Sequence, residues 1–145
     1  MVLDQPMNLE SKTDREREQK VADLLDVYLK NQGCQGFYKT KLPDYHSFDY
    51  RYDQYGKTWF FLEIKTRTDP STKFNSLLLE ASKYERALKV VPPVKVLVQW
   101  SDCTMAFTLK EGYEIIKKEI THPKTKKKEV CEFVEIPFKD GKKLW

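Results

Sequence analysis

The sequence predicts an α/β fold, a mixed β-sheet flanked by helices. Three observations predict it. A run of apolar residues at helical spacing follows Thr13-Asp14-Arg15-Glu16. Two strand-forming runs then flank a turn around Gly56. A second helical stretch leads into VKVLVQW (94–100), an uninterrupted apolar run of the kind found in buried strands. Helices interleaved with strands in this way imply a sheet that packs helices on its faces.

The elements follow in order. Thr13 and Glu16 form a capping-box pattern. Val21, Leu24, Leu25, Tyr28 and Leu29 then recur on one stripe, and Gly33 is a stop signal, which predicts a helix over 14–30. Residues 45–52 and 58–67 read as two strands joined through Asp53-Gln54-Tyr55-Gly56-Lys57. TRTDPST breaks the pattern, and Leu77, Ala81, Tyr84 and Leu88 predict a helix over 75–90, closed by Pro92-Pro93. Strands are expected at 94–100 and 104–109, while 113–120 fits strand or helix. THPKTKKK (121–128) reads as an exposed loop before a strand at 130–136. The expected order is α-β-β-α-β-β, followed by the ambiguous segment and a last strand.

The 145 residues suit one domain with a single core, preceded by a loose arm over 1–12. A net charge of +4 permits a polyanionic partner without requiring one. The three cysteines, Cys34, Cys103 and Cys131, include no C-x-x-C pair, so neither a zinc site nor a disulfide framework is indicated. No signal-peptide core is evident, and no apolar run approaches the ~18 residues of a membrane span. The expectation is a protein of a reducing, cytoplasmic setting that engages no membrane.

The chemistry is concentrated where WFFL runs into Glu63-Ile64-Lys65. A strand has a side-chain period of two, so Trp59, Phe61, Glu63, Lys65 and Arg67 share one face, and Phe60, Leu62, Ile64 and Thr66 the other. With the hairpin centred on Gly56, Asp49 and Glu63 are each seven residues from the centre and therefore opposite one another. Opposed residues have Cβ atoms roughly 4.5–5.5 Å apart. Two carboxylates that close need a cation between them, and hard oxygen ligands suit Mg²⁺ or Mn²⁺. Lys65 on the same face could touch a phosphate oxygen. Taken alone, Glu-x-Lys on a strand is more often a solvated pair.

Two other aspartates compete with Asp49. Asp44 follows Pro43 and falls beyond the Glu-x-Lys unit, and Asp53 sits near the turn, where aspartate is favoured for its own sake. Asp49 has no such structural excuse. Glu18 lies three residues before Val21 and seven before Leu25, so it continues the core-facing stripe of the first helix. A carboxylate there needs a partner, or else a solvent-exposed helix end. Tyr45, Tyr50, Tyr52 and Tyr55 could stack on bases, but aromatics are ordinary strand formers.

Helix Glu18, then Asp49, then Glu63-Ile64-Lys65, then a helix and a hydrophobic strand, resembles the PD-(D/E)XK nuclease superfamily over residues 14–100. The proline expected before the aspartate is absent at Asp49 and present at Pro43, which keeps Asp44 as an alternative. The resemblance implies a restriction-endonuclease-like fold and hydrolysis of phosphodiester bonds in DNA. It implies that Asp49, Glu63 and the Ile64 carbonyl hold Mg²⁺, with Glu18 reaching it directly or through water. Lys65 would orient the nucleophile and stabilise the transition state. The second helix would face the site and make Lys83 a phosphate contact, with Arg51, Arg67 and Lys73 as further DNA contacts around it. Junction resolvases and phage recombination or degradation nucleases share this size and motif order and suggest a homodimer acting in the host cytoplasm. A non-cleaving nucleic-acid-binding module and an RNA-processing nuclease are the alternatives.

Overall fold

The structure, a computed structural model, describes residues 12–122 and 124–145. The arm expected over 1–12 lies outside these residues except for Lys12, which opens the first helix. That helix, α1 (Lys12–Asn31), buries Glu18, Val21, Ala22 and Leu25 and exposes Leu24. Thr13 is therefore inside the first turn and is not the cap that the sequence pattern suggested. The helix ends where expected. Gly33 adopts φ +86°, its N–H donates to the Lys30 carbonyl, and the Cys34 N–H donates to the Leu29 carbonyl. Those two bonds form a Schellman closure, which needs a left-handed residue at Gly33.

Three antiparallel strands follow: β1 (Phe37–Lys41), β2 (Tyr50–Gln54) and β3 (Lys57–Thr66). The sequence pattern did not predict β1. It also assigned strand to 45–49, which is a loop whose ends are drawn together by the Leu42 N–H donating to the Asp49 carbonyl. The hairpin turn is tighter than expected, with only Tyr55 and Gly56 between the strands, at φ +52° and +79°. Two consecutive positive φ values are the signature of a type I′ turn, whose twist matches that of the strands. This moves the centre by half a residue, but a bulge at Trp59 moves it back. Gln54 pairs with Lys57 and Asp53 with Thr58, whereas Tyr52 pairs with Phe60 and Tyr50 with Leu62. Beyond the bulge the pairing is centred on Gly56 after all.

The second helix is shorter than its apolar stripe implied. Residues 76–80 form a strand, β4 (Ser76–Glu80), and only Ala81–Leu88 is helical (α2). Leu77-Leu78-Leu79 satisfies both periods, so spacing alone could not separate them. Pairing decides the matter: Leu77 lies opposite Ile136 and Leu79 opposite Val134, all four buried. The chain then adds β5 (Val94–Gln99), β6 (Thr104–Thr108), β7 (Glu114–Thr121), β8 (Lys128–Pro137) and β9 (Lys142–Lys143). The ambiguous segment 113–120 is thus largely strand.

One sheet has the order β1-β2-β3-β5-β6-β9 and a second has β4-β8-β7. Among the described residues only β3 and β5 run parallel, and every other pair is antiparallel. The larger sheet is therefore mixed, as expected, although the element order is richer than α-β-β-α-β-β. Apolar side chains alternate along β3. Phe60, Leu62 and Ile64 pack with Val21 and Leu25 of α1, while Phe61 joins Val94, Val96, Leu79 and Tyr84 on the opposite face. That second face is covered by α2 and the smaller sheet, and Glu63 and Lys65 point into it.

The type I′ turn supplies a test of how the register is set. An L-residue with a Cβ in the left-handed region costs roughly 1–2 kcal/mol, so Gly56→Ala should lower the unfolding free energy by about that amount. Gly56→Asn should cost less, since Asn tolerates this conformation. Urea denaturation of the two variants beside the parent checks both values.

Candidate active site

At its start β2 gives out while β3 continues, and the site forms in the resulting fork. β2 begins at Tyr50, but Asp49 extends the ladder by one bond, its N–H donating to the Leu62 carbonyl at 2.9 Å. Its side chain then does what the next backbone carbonyl would have done. Asp49 Oδ2 accepts the Ile64 N–H at 2.7 Å. Since N–H and C=O of one strand residue point the same way, the Ile64 carbonyl also faces this open side. The paired register ends at Tyr50–Leu62, and just beyond it the Asp49 charge acts on the Glu63 carboxyl.

Glu63 is 6% exposed and is held by cations from two elements. Lys83 of α2 donates to its Oε2 at 2.8 Å, and Lys65 Nζ lies 3.9 Å from the same oxygen. Oε1 is buried and has no hydrogen-bond partner among the described residues. Burial, and then the neighbouring Asp49 charge, push the Glu63 carboxyl up to about 7, with Lys83 and Lys65 opposing. The Lys65 ammonium moves the other way: burial lowers its pKa, against the pull of Glu63. Each shift has the sign that desolvation imposes on its own charge type.

Glu18 approaches from the α1 side. It is buried at 8% exposure, and its charge and that of Asp49 both act on the Tyr50 phenol, which is pushed up to about 12, chiefly by burial. The Tyr50 hydroxyl donates to Gln19 on the same helix. Among the described residues no three His, Cys, Asp or Glu side chains are grouped closely enough to hold a metal ion. The structure therefore brings Asp49, Glu63, Lys65 and Lys83 together, with Glu18 at the margin.

The competing aspartates are occupied elsewhere. Asp44 is exposed and pairs with Arg15 at 3.2 Å, while Asp53 is buried opposite Thr58 and pairs with Arg51. Of the expected DNA contacts, Lys83 is in the site, and Arg67 lies exposed two residues beyond Lys65, donating to the Thr66 carbonyl. Lys73 is paired with Asp69 at 3.2 Å, and Arg51 with Asp53 at the same distance. Tyr50 and Tyr52 are fully buried and unable to stack on a base, whereas Tyr45 and Tyr55 are exposed. Sequence reasoning missed the anchor of α1. Lys39 of β1 bridges Asp23 and Asp26, and the Tyr52 hydroxyl donates to Asp26 at 2.8 Å. The only signal was the two helix acids three residues apart, which is weak without β1.

A family model described as "Phage putative PDDEXK endonuclease" matches residues 5–141. The chain belongs to that phage PD-(D/E)XK endonuclease family. No curated protein and no solved structure matches it. In this family member the architecture is α/β, with a mixed sheet and two helices, compatible with a restriction-endonuclease-like fold. Among its described residues no helix is long and apolar enough to cross a membrane.

The raised Glu63 pKa makes a stability prediction for this endonuclease-family chain. In the folded state Glu63 keeps its proton up to about pH 7, whereas the unfolded side chain releases it near 4.5. The stability it contributes is thus complete below about pH 4.5 and lost as pH rises through about 7. That loss amounts to about 3 kcal/mol at 1.36 kcal/mol per unit. Urea unfolding with chelator present should show this decline in the parent relative to Glu63→Gln, which has no proton to lose. Parallel pH profiles for the two proteins would contradict the buried geometry.

Proposed function

We propose that this chain is a divalent-metal-dependent nuclease that hydrolyses phosphodiester bonds in DNA. The observation that carries the reading is the pair of carboxylates, Asp49 and Glu63, set across the β2–β3 fork beside two lysines. Their donors suit a hard cation: carboxylate oxygens, a strand carbonyl facing the same gap, and a buried Oε1 with no hydrogen-bond partner among the described residues. Asp49, Glu63 and the Ile64 carbonyl would hold Mg²⁺ or Mn²⁺, with Glu18 acting through water. A bound divalent ion supplies charge neutralisation at the phosphate and acidifies water for attack.

The chain's own residues do the rest. Lys65, fixed on β3 beside Glu63, places an ammonium against the attacked phosphate and orients the nucleophile. Its lowered pKa brings proton release closer to working pH. Lys83 reaches the same space from α2 and would bind a phosphate oxygen. Arg67, Lys73 and Arg51 lie outside that inner set and would position the DNA backbone, a task that carries no sequence information.

The direct test is a cleavage assay with Mg²⁺ or Mn²⁺ on plasmid, linear, branched and single-stranded DNA and on RNA. Asp49→Ala, Glu63→Ala and Lys65→Ala should each lose at least about 10²-fold in rate, the usual cost of removing a transition-state stabiliser. Asp44→Ala should retain activity. Full activity in Asp49→Ala would overturn the assignment, and cleavage of RNA alone would move the substrate class. Binding without cleavage by the parent would make the chain a binding module.

The hairpin joining β7 and β8 carries Lys124, Lys126, Lys127 and Lys128 at its exposed tip. If these lysines meet phosphates, each contact contributes about 0.9 to the slope of log K against log salt. Replacing all four by Gln should weaken DNA binding and flatten that slope by about one unit or more. An unchanged slope would remove this hairpin from the DNA footprint.

A further inference from the structure

Lys83 deserves a second function. Its ammonium donates to Glu63 Oε2 at 2.8 Å, between side chains that are only 24% and 8% exposed, respectively. Lys65 is closer in sequence yet sits 3.9 Å away, beyond hydrogen-bond distance. One oxygen of the carboxylate that would hold a cation is thus already bonded to an internal one, while Oε1 has no hydrogen-bond partner among the described residues. Lys83 and a metal ion would each neutralise this one carboxylate, so the two compete for its charge.

The two lysines differ in freedom as well as distance. Lys65 projects from β3 where the strand is paired with β5, and its side chain is only 16% exposed. Lys83 projects from an eight-residue helix whose body is pinned by Ala81, Tyr84 and Ala87 and whose Tyr84 hydroxyl donates to the Lys110 carbonyl. The backbone of α2 is therefore held while the four-carbon stem of Lys83 can swing, as lysine stems do. A DNA phosphate offers the swinging ammonium a second anion.

We propose that Lys83 is an exchangeable counter-ion: it occupies Glu63 in the empty site and transfers to a DNA phosphate, so that divalent cation and DNA load together. This rests on the nuclease reading above. Linkage makes the effect reciprocal, since DNA that removes Lys83 from Glu63 raises cation affinity by the factor with which the cation raises DNA affinity. Such coupling is typically about 5–150-fold. The site would then fill with metal mainly when substrate is present.

The experiment uses the full chain with Mn²⁺ alone, by calorimetry, and then Ca²⁺ with a labelled DNA duplex, by anisotropy. Lys83→Gln should bind Mn²⁺ about tenfold more tightly than the parent, the scale of a modest coupling. Lys65→Gln is the control for charge alone and should tighten Mn²⁺ less. The factor by which Ca²⁺ tightens DNA binding should shrink in Lys83→Gln. A wild-type measurement guards against a folding defect in the variants: acetylation of Lys83, read by mass spectrometry, should rise on adding Mn²⁺ and fall again with Ca²⁺ and DNA. Equal Mn²⁺ affinities in parent and Lys83→Gln, equal tightening by both substitutions, or acetylation indifferent to Mn²⁺ would overturn the counter-ion role and leave the nuclease reading standing. Absence of Mn²⁺ binding to every variant, with cleavage persisting in chelator, would overturn both.

Discussion

Burial of Glu63 is the constraint on which the rest of the structure depends. An ionised carboxylate taken out of water costs several kcal/mol unless cations and hydrogen bonds replace its hydration. Here the replacement comes from two directions, Lys65 on the same strand and Lys83 on α2. The helix must therefore sit close over the end of β3. It does so because β4 delivers it there: Leu77 and Leu79 bury against β8, and α2 starts at the residue after β4 ends. Reading 75–90 as one helix would have placed Lys83 on a longer rod with no reason to dip toward Glu63. The strand-then-helix break is what aims it.

How much of this was legible depended on the range of the interaction. Local signals survived: the apolar stripe of α1, its stop at Gly33, the alternation along β3 and the turn at Tyr55-Gly56. The pairing of Tyr50 with Leu62, the residues next to Asp49 and Glu63, was legible for a partly accidental reason. A hairpin centred on Gly56 and a two-residue turn plus a bulge at Trp59 yield the same pairing from Tyr52 to Tyr50. The sequence carries no strong mark of that bulge. β1 was invisible because FYKTK is half polar and exposed on most of its length, with Phe37 and Lys39 partly buried. The Leu77–Leu79 run was ambiguous because three successive leucines satisfy any period.

The margin of the site illustrates a different limit. Glu18 was found by its place on a buried stripe, and it is buried. Its depth depends on how α1 is seated, and that seating is a tertiary property. Two polar ties set it, Lys39 with Asp23 and Asp26, and the Tyr52 hydroxyl with Asp26. Tyr50 adds a third through Gln19. Each tie joins α1 to a strand that ends at the fork, so the helix cannot slide along the sheet without breaking these hydrogen bonds, most of them partly buried. Packing alone would fix the face of α1 that meets the sheet. The polar ties fix its translation, and translation decides whether Glu18 stands level with Asp49.

The fork also explains why one aspartate among three lies at the end of the β2–β3 ladder. A strand that outlasts its neighbour leaves backbone N–H groups without a ladder partner, and a buried one must be satisfied by something. Ile64 is the first such residue on β3, and Asp49 Oδ2 satisfies it. Asp44 lies out in the loop with Arg15, and Asp53 lies beyond the bulge with Arg51, so neither can reach that N–H. The bond does two things at once. It closes the end of the β2–β3 ladder, and it holds the Asp49 carboxylate at the fork, where its charge acts on Glu63. A residue that caps the sheet is held rigidly, and a rigidly held carboxylate is what a metal ligand requires. Structural necessity alone places Asp49 here, through a bond that needs no proline before it.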